Sequence, residues 1–398
     1  MPEQQPSLDD SFIIPIGPQH PALKEFEYFE LRVDGEEIID VSVRLGYNHR
    51  GIEKAIESRT YTQNLYLIER ICGICSHAHT TCYCQAIEEL LGVTIPDRAR
   101  YIRTIVAELE RIHSHLLWLG IAAHEIGFDT LFMYIWADRE IVMDLLELIS
   151  GNRVNYAMNT IGGVTRDMSP ELLDNIREGI AKLESRARFY KDLCVEEGSV
   201  MQRVVGVGVL QPEDALHLCA VGPTLRACGI ANDLRKDDPY AAYDAVSFNV
   251  ITYDGCDVAS RMFVRIDELI ESVRVIDQCL HCMPPGPHKV KVVRKVPSGE
   301  VVSRVEAPRG ELIHYARSNG TDQPERYKVR APTLANMPAL RKMLVGGYIA
   351  DVPIVIAGID PCFGCLDRMS LVDVKTGRNW IWSSDQLRRH SLTWRQQA

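Results

Sequence analysis

The sequence predicts a mostly helical α+β fold: a bundle of long helices with a small N-terminal antiparallel sheet and further β-structure towards the C-terminus. Three observations lead to this prediction. Apolar and polar residues alternate in residues 11–44, as in half-buried strands. Apolar residues recur three and four positions apart through much of 51–198 and 257–281, as on one face of a helix. Residues 289–304 again resemble short strands.

The N-terminal sheet is predicted from short runs such as Tyr28–Val33 and Ile39–Val43. Val33-Asp34-Gly35-Glu36 between them is a typical turn sequence. Gly17-Pro18-Gln19-His20-Pro21 is expected to form a rigid loop within this region. We therefore expect residues 1–50 to form a β-region that packs as one unit with the body of the chain.

Residues 51–368 are predicted to form the helical body. One long helix is expected from Asp97 to about Gly127, and the next is expected to be capped by Asp129 and to end near Gly151. Ser169 followed by Pro170 is a typical helix start. The apolar stretch 344–359 is expected to be a buried strand or a pair of helices.

Composition excludes several classes of function. The formal net charge of −10 argues against nucleic acid as a partner. No run of 18 uncharged apolar residues is present, so no transmembrane helix is expected, and residues 1–10 do not resemble a cleavable secretory signal. The 12 cysteines of such a chain are expected to be reduced, and to serve as core residues or as metal ligands.

Two Cys-x-x-Cys pairs are candidate metal ligands. Cys72 and Cys75 form the first, and Cys362 and Cys365 form the second, 287 positions later (362 minus 75). Zinc ribbons place their pairs roughly 15–20 residues apart, so this separation suggests a site assembled by the whole fold. Spacing alone leaves structural zinc, an iron–sulfur cluster, another transition metal or no metal as alternatives.

The residues around the pairs resemble a known family. Arg70-Ile71-Cys72-Gly73-Ile74-Cys75, followed by His79, and Asp360-Pro361-Cys362-Phe363-Gly364-Cys365 resemble the signature motifs of NiFe hydrogenase large subunits. Further segments resemble the energy-converting (group 4) branch in the expected order: 17–21, 49–53, 110–115, 150–155, 222–226 and 306–311. The same segments resemble the related complex I subunit of the quinone site, which lacks the four cysteines.

The resemblance implies a nickel–iron centre that forms or splits H2 heterolytically. Nickel is bound by Cys72, Cys75, Cys362 and Cys365, and iron carries CO and cyanide ligands. Cys75 and Cys365 bridge both metals, whereas Cys72 and Cys362 are terminal. Soft thiolate donors suit such metals.

Three other residues are assigned by resemblance. Arg309 is expected beside the cyanide ligands, rather than in a surface turn. Asp360 is expected to pair with Arg309 or to orient the turn. His79 is expected to donate a hydrogen bond to a bridging sulfur, the alternative being an ordinary core histidine.

Two acids are candidates for the proton exit. Glu53, in Arg-Gly-Ile-Glu, matches the acid that leads protons away from nickel in the wider family, and Glu25 is a second candidate in this branch. A carboxylate beside a dry metal site can relay protons. The alternative for each is a solvated surface acid.

The remaining cysteines are predicted to be structural. Cys82, Cys84, Cys194, Cys219, Cys228 and Cys256 are expected to be small core residues, and Cys279-Leu280-His281-Cys282 is a weak ligand candidate. Two positions depart from the family pattern, because Gly364 replaces a serine and Leu366 a threonine. Arg368 replaces the histidine of other branches, so their C-terminal metal site is not expected here.

Residues 369–398 resemble the extension that a maturation endopeptidase removes, with the cut after Arg368; the alternative is a permanent terminal strand or helix. The resemblance further implies a small subunit with a 4Fe–4S cluster, ferredoxin-like and complex I-like hydrophilic subunits, and antiporter-like membrane subunits. These partners would hold the chain at the cytoplasmic side of the cell membrane. Two rival hypotheses are a complex I-like quinone or sulfur reductase subunit, and a structural subunit with a zinc site.

Overall fold

The structure is a computed structural model that describes residues 11–366, 368, 382 and 384–397. The helices in this part of the chain are α1 (Ile52–Ile56), α2 (Tyr61–Glu69), α3 (Ser76–Leu91), α4 (Asp97–Glu125), α5 (Asp129–Ser150), α6 (Pro170–Glu196), α7 (Gly198–Val204), α8 (Pro212–His217), α9 (Pro223–Arg226), α10 (Leu234–Asp237), α11 (Val258–Cys282), α12 (Pro332–Leu344), α13 (Val352–Gly358) and α14 (Ser384–Gln397). The strands are β1 (Phe12–Ile16), β2 (Tyr28–Asp34), β3 (Glu37–Arg44), β4 (Asn159–Thr160), β5 (Gly163–Val164), β6 (Gly299–Ala307), β7 (Gly310–Ser318) and β8 (Pro324–Arg330).

The predicted α+β class is confirmed, with β-structure near both ends of a helical body. Strands β1, β2 and β3 form an antiparallel sheet in sequence order, and β6, β7 and β8 form another. The register of β6 and β7 pairs Ala307 with Gly310, so the hairpin turn consists of Pro308 and Arg309. This two-residue turn brings Arg309 to the tip of a hairpin that points into the core.

Three apolar clusters form the core. The largest lies among the long helices α4, α5, α6 and α11. The second lies where α2 and α3 pack on the C-terminal sheet, and it includes all four motif cysteines. The third packs the N-terminal sheet against α12 and α13 and includes Phe363. The second Cys-x-x-Cys segment therefore lies where two apolar clusters meet.

Most helix boundaries agree with the sequence prediction. The helix α4 ends at Glu125, and α5 ends at Ser150 with Gly151 in the left-handed conformation (φ 80°). Ser169 caps α6 by accepting a hydrogen bond from Leu172 N. The predicted cap of α5 is wrong, because Asp129 is its first helical residue and instead pairs with His124.

One other prediction needs correction, and the structure decides between the two alternatives of another. Residues 289–298 were expected to contain short strands, but a strand begins only at Gly299, and Lys289 makes a single bridge with Gly163. Lys and Arg side chains alternate with valines there, but the pairing with β5 does not extend beyond this bridge. The stretch 344–359 was expected to be a buried strand or a pair of helices, and the helical alternative holds: α12 ends at Leu344, and a short 3₁₀ turn at Ile349–Asp351 is followed by α13. Pro353 at the start of α13 favours a helix over a strand.

Candidate metal centre

The structure brings both Cys-x-x-Cys pairs together. Cys72 and Cys75 lie in the connection between α2 and α3, and Cys362 and Cys365 lie in the turn after α13. The Sγ atoms of Cys72 and Cys362 are 3.3 Å apart, and those of Cys362 and Cys365 are 3.1 Å apart. The Sγ atoms of Cys75 and Cys365 and a ring nitrogen of His79 lie within 4.8 Å of one another. The chain thus gathers four sulfur donors in one place.

The four thiols are buried, and the hydrogen bonds among them favour a thiolate at Cys72. Each of the four cysteines is at most 4% exposed. Hydrogen bonds from Cys362, Cys365 and Cys75 hold the pKa of Cys72 well below its usual value. Hydrogen bonding to the same cluster, together with burial, raises the pKa of Cys365 well above its usual value. A buried group of thiols that stabilises a thiolate suits a soft transition metal.

Local backbone structure positions the first pair. Cys72 Sγ accepts hydrogen bonds from Ile74 N (3.3 Å) and Cys75 N (3.2 Å). Cys75 immediately precedes α3. The carboxylate of Glu110, on α4, accepts hydrogen bonds from His77 N (2.6 Å) and Ala78 N (3.0 Å) at the start of this helix. Glu110 thereby satisfies two N–H groups of the first turn and fixes the helix that carries Cys75.

Side chains from distant elements position the second pair. Asp360 adopts a left-handed backbone conformation (φ 53°), which turns the chain out of α13. Thr333 Oγ1 accepts a hydrogen bond from Cys362 N at 3.1 Å. Gly364 N donates to Glu25 (2.7 Å), and Gly364 O accepts from Arg50 (2.7 Å).

Arg309 and Asp360 form a buried ion pair beside the cysteines. Arg309 donates to Asp360 Oδ1 at 2.7 Å and to Asp360 O at 2.6 Å. Burial opposes the charge of Arg309, but Asp360 and the nearby cysteines raise its pKa well above the usual value. Arg309 is 2% exposed, so it is not a surface arginine. A Cβ on Gly222 would lie 2.4 Å from Arg309 O, so glycine is required there for the hairpin tip to approach.

His79 lies against the cluster with one ring nitrogen available. Its Nδ1 is 3.1 Å from Nε2 of His314, whose Nδ1 contacts Tyr327 Oη at 2.7 Å. The buried Nε2 of His79 has no hydrogen-bond partner among the described residues. Its position beside Cys75 and Cys365 suits a hydrogen bond to a sulfur, although the structure contains no such bond among the described residues.

The two candidate acids have different environments. Glu25 Oε1 accepts from Cys362 Sγ at 3.8 Å, and burial raises the pKa of Glu25. Glu53 is 6% exposed and accepts hydrogen bonds from Lys328 Nζ (2.7 Å), Val329 N (3.0 Å) and Arg368 Nη1 (3.0 Å). Glu53 is buried and Glu25 is half-buried, so neither is a fully solvated surface acid. Glu25 is the acid in contact with a motif cysteine.

A cavity of about 420 Å³ adjoins the site. Its inner wall includes Glu25, Arg309 and Asp360, and its apolar wall includes Trp118, Ile121, Phe132, Trp136 and Phe363. The cavity therefore reaches the residues around the second Cys pair through a largely apolar space.

The other cysteines fit a structural interpretation, with one exception. Cys82, Cys84, Cys194, Cys228 and Cys256 are buried, as predicted. Cys219 was expected in the core but is exposed. Cys279 is buried and Cys282 is exposed, and neither belongs to a group of three potential ligands in the described chain.

Sequence reasoning assigned no roles to several supporting residues. Glu110 and Arg50 belong to segments that carried the resemblance, but only the structure shows what they bind. Arg226, also in such a segment, donates to Glu268 Oε1 (2.8 Å) and Glu306 Oε1 (2.8 Å) in the buried core. These charges come from α9, α11 and β6, and buried charges need such partners. A charged residue among the buried positions of a long helix was the signal that could have identified Glu110; Arg50 and Arg226 lie outside the long helices.

Comparison with known proteins supports the resemblance. Residues 125–295 and 290–368 match the family described as "Respiratory-chain NADH dehydrogenase, 49 Kd subunit". Residues 50–121, which include the first Cys pair, match the family described as "Nickel-dependent hydrogenase". The chain belongs to the family of NiFe hydrogenase large subunits and complex I 49 kDa subunits.

Relatives within this family have different named activities. The chain is 42% identical over 359 residues to the carbon monoxide-induced hydrogenase of Rhodospirillum rubrum, and the match covers 90% of this chain and 99% of that protein. It is 42% identical over 395 residues to the membrane-bound hydrogenase subunit alpha of Pyrococcus furiosus (95% and 92% covered). It is 40% identical over 362 residues to an NADH-quinone oxidoreductase subunit of Dehalococcoides mccartyi (90% and 99% covered).

A solved structure shows the same fold. This is the membrane-bound sulfane sulfur reductase, an archaeal respiratory membrane complex, with a TM-score of 0.86 and 33% identity; the match covers 92% of this chain and 100% of that one. The family therefore supplies oxidoreductase subunits to multisubunit membrane complexes. Among the described residues of this chain, none of the helices could cross a bilayer. The expected cut after Arg368 and most of residues 369–383 lie outside the described residues, and α14 follows them.

Proposed function

We propose that this chain is the catalytic large subunit of a membrane-associated, energy-converting NiFe hydrogenase, which interconverts H2 with two protons and two electrons. The observation that carries the proposal is the convergence of Cys72, Cys75, Cys362 and Cys365 in one buried cluster. These cysteines come from segments 287 positions apart (362 minus 75), and the fold unites them.

The donor set fits a nickel–iron centre. Cys72, Cys75, Cys362 and Cys365 would hold nickel as thiolates, and Cys75 and Cys365 would also be ligands of iron. When bound, such a centre supplies the H2-binding and redox chemistry. We assign His79, whose Nε2 has no hydrogen-bond partner among the described residues, as the donor to a sulfur. Arg309, fixed by Asp360, is the donor that we assign to the cyanide ligands of iron.

Glu25 is the proton acceptor that the geometry favours. It lies against Cys362 Sγ at 3.8 Å, and Gly364 N orients its other oxygen at 2.7 Å. The largely apolar cavity that Glu25, Arg309 and Asp360 line is the route that we assign to H2. A carboxyl group next to a thiol can accept or return a proton without large motion of the chain.

The proposed partners follow from the family. They are a small subunit with a 4Fe–4S cluster, ferredoxin-like and complex I-like hydrophilic subunits, antiporter-like membrane subunits and a maturation endopeptidase. The proposed location is the cytoplasmic side of the cell membrane, where these subunits hold the chain. Electrons would pass through the small subunit, and the membrane arm would couple the reaction to ion translocation.

The alternative is a complex I-like subunit that serves quinone or sulfur reduction without a working NiFe centre. Its support is the 40% identity to an NADH-quinone oxidoreductase subunit and the likeness to a sulfane sulfur reductase. The cavity of about 420 Å³ could then receive the oxidant. The four convergent thiols favour the hydrogenase.

The test is metal analysis with infrared spectroscopy on the purified complex. Nickel and iron together with CO and cyanide bands are expected, and both should be lost in Cys72→Ser and Cys365→Ser. Cys282→Ser, which changes an exposed thiol, is the control and should keep both signals. Zinc alone, or processed protein without metal and without these bands, would replace the proposal with the complex I-like alternative.

A further inference from the structure

The segment around the second Cys pair contacts one short motif at two points, Gly364 and Arg368. This segment contains the 3₁₀ turn Phe363–Cys365. The motif is Arg50-Gly51-Ile52-Glu53, in which Gly51 adopts φ 65° and precedes α1. Arg50 and Glu53 each make contacts to parts of the chain that are distant in sequence.

Arg50 ties the two Cys pairs together. Its Nη1 donates to Arg70 O at 2.9 Å, and its Nη2 donates to Ile71 O at 2.7 Å, immediately before Cys72. The same Nη2 donates to Gly364 O at 2.7 Å, immediately before Cys365. One planar guanidinium therefore fixes the spacing between the backbones of the two pairs.

Glu53 fixes the chain beyond the second pair. Its carboxylate accepts from Arg368 Nη1 (3.0 Å), three residues after Cys365, and from Lys328 Nζ (2.7 Å) and Val329 N (3.0 Å) of β8. The hydrogen bonds to β8 anchor the carboxylate, and the ion pair with Arg368 joins the C-terminal segment to that anchor. Side chains of Glu53 and Cys365 also line the same small cavity.

We propose that Arg50 and Glu53 together, here called the Arg50–Glu53 latch, hold the second Cys pair in a fixed position relative to the first. In this role Glu53 is a positioning residue that fixes Arg368. The role of the latch in metal binding rests on the proposed function, whereas its hydrogen bonds are present in the structure whichever function is correct. Its test therefore needs one measurement that is independent of nickel.

The first measurement is hydrogen exchange of the amides in residues 362–368, followed in the purified complex. Glu53→Gln is expected to speed this exchange about three- to tenfold, as for loss of a partly buried ion pair. Glu57→Gln is the matched control, because Glu57 also links α1 to β8, through Arg326 at 2.6 Å, and its ion pairs lie away from the second Cys pair. The control should leave the exchange within about twofold of wild type.

Variants of Arg368 distinguish loss of the Glu53–Arg368 ion pair from a general destabilisation of the segment. Arg368→Gln should speed the exchange as Glu53→Gln does, and the double variant should be no worse than either single variant. Arg368→Lys, which keeps the charge, should restore most of the protection. Equal effects of Glu53→Gln and Glu57→Gln, or additive effects of Glu53→Gln and Arg368→Gln, would overturn the latch.

The second measurement is nickel per chain and turnover per nickel. The latch predicts that Glu53→Gln and Arg50→Lys lower the nickel content about threefold or more, while turnover per bound nickel stays near wild type. Full nickel with turnover lost in Glu53→Gln would instead make Glu53 a proton carrier and the latch wrong. If wild-type protein contains no nickel, the proposed function fails, and the exchange measurements still decide on the latch.

Discussion

The two Cys-x-x-Cys pairs end in the same cluster but are positioned in different ways. The first pair is placed by nearby backbone, since Cys72 Sγ accepts from Ile74 N and Cys75 N, and Cys75 immediately precedes α3. The second pair lies in a short 3₁₀ turn, and its backbone is held by side chains from other elements. The first pair therefore takes hydrogen bonds from its own backbone as well as contacts from Glu110 and Arg50, whereas the backbone of the second pair is held mainly by side chains from other elements.

This difference has a consequence for substitutions. A change near the first pair leaves most of its local hydrogen bonds intact. A change near the second pair removes one of a few long-range contacts, which come from Thr333, Glu25, Arg50 and Arg309. We expect the geometry of the second pair to be the more sensitive of the two.

The largest expected effect is that of Asp360→Asn. Asparagine tolerates the left-handed backbone of this position, so the change mainly removes the charge that faces Arg309. Removing one partner of a buried ion pair costs about 3–5 kcal/mol. We expect urea unfolding of the purified protein to show a loss of this order, together with reduced nickel content.

Asp351→Asn is the matched control for that substitution. Asp351 pairs with Arg203 at 3.6 Å near the start of α13, in a partly exposed position. Such a pair contributes about 0–1 kcal/mol, so this variant should be close to wild type. Similar losses in both variants would show that the Arg309–Asp360 pair has no special role in holding the second Cys pair.

The next effect is on turnover rather than on assembly. Glu25→Gln keeps an oxygen that can accept from Gly364 N, so nickel content should be retained. It removes the acid beside Cys362 Sγ, and loss of a positioned acid–base group costs about 100-fold or more in rate. H2 turnover per nickel measures this. Glu30→Gln, at an acid that pairs with Arg44 in the N-terminal sheet, is the control and should be unaffected. Unchanged turnover in Glu25→Gln would exclude Glu25 from the proton route.

Sequence patterns predicted the helices and the N-terminal sheet because periodicity and caps are local properties. The cap of α6 at Ser169 and the end of α5 at Gly151 are examples. The four cysteines and Asp360 were identified from motifs, but their convergence depends on tertiary packing. The hydrogen bonds of Glu110 and Arg50 could not be predicted, since their partners are backbone groups of distant segments. The strand prediction for residues 289–304 was correct only from Gly299, where β6 begins, because residues 289–298 make no more than a single bridge with Gly163.

The smallest expected effect is a pH dependence of the free energy of unfolding that comes from Glu110, beside the first Cys pair. Burial raises the pKa of Glu110 to about 8, although the N–H groups of His77 and Ala78 favour its charged form. Because the folded state then keeps a proton that the unfolded state releases above about pH 4.5, stability is highest at low pH and falls as pH rises towards 8. The slope for one such group is about 1.4 kcal/mol per pH unit.

Urea unfolding of the purified protein between about pH 5 and pH 8 measures this slope, because those values lie between the two pKa values of Glu110. In Glu110→Gln, the free energy of unfolding should fall less steeply with pH than in wild type, by that amount. Glu89→Gln, at an exposed acid on α3, should have the wild-type slope. Equal slopes in wild type and Glu110→Gln would mean that Glu110 is charged in the folded protein at neutral pH. The carboxylate would then stabilise the start of α3 as a full charge, and the first pair would depend on a long-range ionic contact, as the second pair does.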